Sequence, residues 1–81
     1  MSASPDLEVY SAALHAASAA KSAREAERLF AGTRARSIRL DQVAGNHLVA
    51  ALKSGGQPKR ATEIAEQLRR QGIDVQQAVK R

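Results

Sequence analysis

The sequence predicts an all-α fold of stacked antiparallel helix hairpins, and three observations carry that reading. Asp6, Ala26 and Ile38 recur as Asp41, Ala61 and Ile73, each pair 35 residues apart, and a period of this length marks a helical repeat. Of the 81 residues, 17 are alanine, the best helix former. β-Branched and aromatic residues are few and never alternate over a useful length, which argues against strands.

The elements follow in order. Pro5-Asp6 leads in, Asp6 is placed to cap the first helix, and Leu7, Tyr10, Leu14 and Ala17 follow at helical spacing. A polar break at Lys21-Ser22 ends that helix. Ser22 with Glu25 three residues on predicts a capping box, in which two side chains satisfy unpaired amides at a helix start. Ala26, Leu29, Phe30 and Thr33 form one stripe on the second helix. Arg34, Arg36 and Arg39 load its end and the turn beyond, where the helix dipole favours cations.

The second unit repeats the plan. Asp41 caps a helix carrying Val43, Leu48, Ala51 and Leu52. Gly55-Gly56 breaks it, and Pro58 suits the first position of the next helix, where a missing amide costs nothing. Ala61, Ile64, Ala65 and Leu68 mirror the earlier stripe, and Gly72 supplies a stop. The expected division is a lead-in over 1–5, units over 6–40 and 41–75, and a tail over 76–81 that opens a third unit as a short helical turn. Tyr10, Leu14, Ala26, Leu29, Phe30, Leu48, Leu52, Ala61, Ile64 and Leu68 are the expected packing residues.

Composition bounds the chemistry. One Phe, one Tyr, one Met and no Trp make a light core, so local helix formation is strong and tertiary packing thin. The absence of cysteine excludes disulfides and a Cys-based zinc site. No stretch approaches 18 consecutive apolar residues, so no membrane span is expected, and no targeting peptide is visible. A net charge of +5 suits an anionic partner or a solvated, Arg-rich helix surface. An enzyme is not expected. The chain holds no Gly-x-Ser-x-Gly, no paired carboxylates in an apolar pocket and no metal cluster, and the Gly55-Gly56-Gln57-Pro58-Lys59 turn lacks the phosphate-loop ending. His15 and His47 occupy unmatched positions of the two units with no carboxylate at metal spacing, so neither reads as a ligand or base. No cofactor and no small-molecule substrate are expected.

The pattern is similar to the pentatricopeptide repeat, a pair of antiparallel helices of about 35 residues. Asp6-Leu7-Glu8-Val9-Tyr10 resembles the start of such a unit, Ala26 with Leu29-Phe30 its second helix, and Gly72-Ile73-Asp74-Val75-Gln76 its closing turn. The resemblance runs from Pro5 to Gln76. The tetratricopeptide repeat competes at 34 residues, but its Trp and Leu-Gly signature is missing. What the resemblance implies is a short right-handed α-solenoid of about four helices plus a C-terminal turn, and a location in a mitochondrion or plastid. It further implies single-stranded RNA bound by the first helices, one base per repeat. The contact candidates carried over are Ser11 with Asp41, a pair suggesting guanine, then Asn46 with Gln76, and Val43 as a base-sandwiching plate. Glu8 stands at the plate position of the first unit, a carboxylate where an apolar side chain is expected.

Bland roles compete with each. Asp6 and Asp41 serve as N-caps, Ser11 and Asn46 as polar surface, Val43 as core between units, and Tyr10 as packing. Stacking is worth about 1–3 kcal/mol per base, so two units offer roughly 2–6 kcal/mol before association costs. Two units also fall below the roughly three that such stacks need. The chain therefore reads first as a non-catalytic repeat subunit that docks onto protein within a larger assembly. A single-stranded RNA-binding module, as a fragment of a longer array or part of a ribonucleoprotein, is the alternative.

Overall fold

The chain forms four short helices, each closed at its C-terminal end by local hydrogen bonds: α1 (Pro5–Ala19), α2 (Ala23–Ala35), α3 (Gln42–Ser54) and α4 (Pro58–Arg70). The structure, a computed structural model, describes residues 5–73 and 75. Those residues are all-α, with no strand among them. The expected tail over 76–81, Gln76 included, and positions 1–4 of the lead-in lie outside the described residues.

Each helix stops the same way. At the end of α1, the Lys21 amide donates to the Ser18 carbonyl at 3.0 Å and the Ser22 amide to the Ala17 carbonyl at 2.9 Å. Lys21 takes the left-handed conformation, φ 57°. This is a Schellman close, in which the last turn satisfies its own carbonyls. Thirty-five residues on, Gly56 donates to Lys53 and Gln57 to Leu52, with Gly56 at φ 89°. The closes of α2 and α4 match in the same way: Ser37 and Ile38 donate to Arg34 and Thr33, and Gly72 and Ile73 donate to Arg69 and Leu68. The period seen in a few side chains is thus also a period in backbone hydrogen bonding.

The starts of the helices differ more. Asp41 caps α3, its Oδ1 accepting from the Ala44 amide at 2.8 Å. Ser22 caps α2, its hydroxyl accepting from the Glu25 amide at 3.2 Å. The expected capping box is only half made. The Ser22 amide is spent on the Schellman close of α1, and Glu25 pairs with Arg28 at 3.6 Å. Asp6 is not the N-cap expected of it, because α1 already begins at Pro5; Asp6 sits in the first turn, where its charge suits the helix dipole.

α1–α2 and α3–α4 each form a hairpin, and α3 is the hub, packing against all three other helices. Ala44, Leu48, Val49, Ala51 and Leu52 of α3 are fully buried. They meet Leu14 and Ala17 of α1, Ala26 and Phe30 of α2, and Ile64, Ala65 and Leu68 of α4 in one core. Ile73 and Val75 close over it. Thr33 is buried with its hydroxyl donating to the Phe30 carbonyl at 2.7 Å. Val43, offered as core between units, is instead 57% exposed.

One glycine is required by space, and a second lies against the tip of a side chain that can yield. A Cβ on Gly55 would lie 2.5 Å from the Ala23 backbone nitrogen, so the end of α3 touches the start of α2 with no room for a side chain. One on Gly32 would lie 2.7 Å from the Tyr10 hydroxyl oxygen. α2 and α4 are tied on their flanks by a forked ion pair, Arg60 Nε to Glu27 Oε2 at 2.7 Å and Nη2 to Oε1 at 3.3 Å. Both side chains are over a third exposed, so the pair contributes orientation more than stability.

Two opposite responses are expected. Lys21 and Ser37 hold left-handed conformations that glycine holds in the second unit, so Lys21→Gly and Ser37→Gly should each raise stability by about 0.5–1 kcal/mol. Gly55→Ala should lower it by about 1–3 kcal/mol despite the better helix propensity of alanine. Urea unfolding of the three variants reads both signs; stabilisation by Gly55→Ala would refute the close contact.

Candidate functional site

Two surfaces merit description: the face shared by α1 and α3, and the open end of the first hairpin.

On the α1–α3 face, Ser11 is half-buried near the middle of α1, and Asn46 is half-buried on α3 with an interaction of its own. Asp41 is exposed at the α3 cap with one carboxylate oxygen committed to that cap. Val43 and Glu8 occupy equivalent positions of the two units, and both are exposed. Gln76 lies outside the described residues. The charges on this face are of the wrong sign for a phosphate backbone. α1 carries Asp6 and Glu8 and no cation, and α3 carries Lys53 alone.

Two residues that sequence reasoning kept apart meet here. His15 of α1 and His47 of α3 contact edge to face, ring centroids 4.7 Å apart. They are 32 positions apart rather than 35, so the repeat does not pair them; the stacking of α3 on α1 does. Burial pushes the His47 imidazole below its usual pKa of 6.5, and the neighbouring His15 adds to that, while Asp41 opposes it. Among the described residues no group of three or more His, Cys, Asp or Glu could hold a metal ion.

The basic residues gather elsewhere. Arg34 and Arg36 end α2, Arg39 follows in the turn, and Arg69 and Arg70 end α4, all exposed. Arg39 bridges the two ends by donating to the Gln71 carbonyl, and Arg34 stands 5.7 Å from the Phe30 ring centroid. None of the five pairs with a carboxylate among the described residues.

The second surface is a groove of about 430 Å³ lined by Ala13, Ala16, Ala17, Ala20, Ser22, Glu25 and Leu29. None of its lining residues belongs to α3 or α4, and four of the seven are alanines. Of the expected packing residues, Leu29 is only half-buried because it faces this groove, and Tyr10 is half-buried over Gly32. The other eight are buried. The groove had no signal in the sequence beyond the alanine bias of α1, because small residues read equally as helix formers.

No family model, curated protein or solved structure matches the chain. No described helix is long and apolar enough to cross a membrane.

The histidine contact sets a pH dependence. A folded-state pKa below the unfolded 6.5 means that the unfolded chain binds more protons in that window. Stability is therefore full above about pH 6.5 and falls as pH drops towards the folded value. Urea unfolding at neutral and mildly acidic pH should show this loss, and His47→Gln should reduce it. A loss of unchanged size in that variant would remove His47 as its source.

Proposed function

We propose that this chain is a non-catalytic, pentatricopeptide-like helical-repeat subunit that docks onto protein within a larger assembly. The supporting observation is the mostly apolar groove along α1 and α2, lined by small side chains and open to water. A two-hairpin stack with an alanine-rich core has little stability to spare, so burying that groove in a complex would stabilise it. Its continuation as a right-handed solenoid, and an organellar location, follow from the family resemblance.

Single-stranded RNA binding is the second reading, and one observation favours it: five exposed arginines, at the ends of α2 and α4 and in the turn after α2, that make no ion pair to a carboxylate among the described residues. Guanidinium groups suit phosphate oxygens. They lie on α2, on α4 and in the turn before α3, not on the helices α1 and α3 that carry Ser11, Val43 and Asn46. The lack of cations on α1, and the carboxylate of Glu8, weigh for protein over RNA.

Two measurements test the proposal. The isolated chain should unfold cooperatively at a low midpoint; a high one, with no partner present, would contradict a docked subunit. Mixed single-stranded RNA at low salt should show no saturable binding. Salt-steep binding abolished by joint Arg34→Glu and Arg69→Glu would instead establish the RNA reading.

A further inference from the structure

The outer groove has an internal counterpart that identifies what it fits. Adding 35 to Ala13, Ala16, Ala17, Ala20, Glu25 and Leu29 gives Leu48, Ala51, Leu52, Gly55, Arg60 and Ile64. In the second unit this is the surface that packs onto the first. Leu48, Ala51, Leu52 and Ile64 are fully buried, Gly55 abuts Ala23, and Arg60 forks onto Glu27. The same surface of the first unit has Ala16, Ala20 and Glu25 exposed and Leu29 half-buried. Its occupant should therefore resemble what covers the second unit: a two-helix hairpin.

Charge refines the match. Where the second unit sends Arg60 to the acidic Glu27, the first presents Glu25. Among the described residues the Glu25 carboxylate is held by an exposed contact to Arg28 at 3.6 Å, which is easily given up. A partner hairpin thus needs a cation at the place corresponding to Glu27. A second copy of this chain does not supply it, since the position equivalent to Glu27 is Thr62 and that equivalent to Ala23 is Pro58.

We infer that the groove of Ala13, Ala16, Ala20 and Leu29 binds a helical hairpin of a partner protein that presents a Lys or Arg side chain to Glu25. This rests on the protein-docking reading and adds the site and the chemistry of the partner.

The test extends the full chain with an added hairpin, a copy of residues 6–40 placed ahead of Asp6, made with Glu27 retained or with Glu27→Lys in the copy. The Glu27→Lys extension should raise amide protection across the original α1 and α2 by about tenfold or more, and the Glu27 extension by clearly less. The gain should vanish when the original Ala16 is replaced by Glu, or the original Ala20 by Arg. No gain from either extension, or a gain that survives both substitutions, overturns the inference. Concentration-dependent association of the unextended chain, lost on Ala16→Glu, would also overturn it by making a second copy the occupant. If the unextended chain unfolds at a low midpoint and neither extension helps, this inference fails alone. A high midpoint with no gain overturns the docking reading as well.

Discussion

The burial of α3 is the constraint on which the rest of the structure depends. It is the one helix whose backbone lies close against those of the other three, and five of its residues are withdrawn completely from water. Those residues are small or medium: two alanines, two leucines and a valine. Such a helix is held by close approach more than by large side chains, because apolar area per residue is low and packing density must make up the difference. Gly55 against Ala23 is the tightest expression of that requirement, and Gly45 is another. At Gly45, a Cβ would stand 3.2 Å from Leu68 Cδ1, where the equivalent position of the first unit carries Tyr10. One template thus accepts an aromatic ring in one copy and bare backbone in the other, according to what lies across from it.

Much of this was legible in the chain. The 35-residue offset located both hairpins, and Ser22, Asp41, Gly56, Pro58 and Gly72 marked boundaries through well-understood local preferences. Interactions set by the packing of one helix on another were not legible. The His15–His47 contact falls off the repeat register. Val43 looked apolar enough to be core, yet it lies on the exposed side of α3. Asp6 reads as a cap only if the helix begins after it, and a proline at position 5 starts the helix earlier. Gly55 reads as a helix breaker, but its φ of −87° shows that space rather than backbone freedom is what it provides.

Charge and apolar surface are segregated on the molecule. The α1–α3 face is nearly free of cations, the arginines collect where α2 and α4 end, and the open alanine-lined groove is formed by α1, α2 and the turn between them. Repetition explains the groove directly. A unit that must stack on its predecessor carries a stacking surface, and the first unit carries one too. Ala13 at the position corresponding to Leu48 keeps that surface shallow.

The central claim is that two hairpins of one template stack through α3 at backbone contact. It is tested most directly by nuclear Overhauser contacts in the labelled chain between the Gly55 α-protons and the Ala23 amide and methyl group. The stacked arrangement requires strong cross-peaks between them. Their absence, in a chain whose helices are otherwise intact, would mean that the two hairpins do not meet in this way.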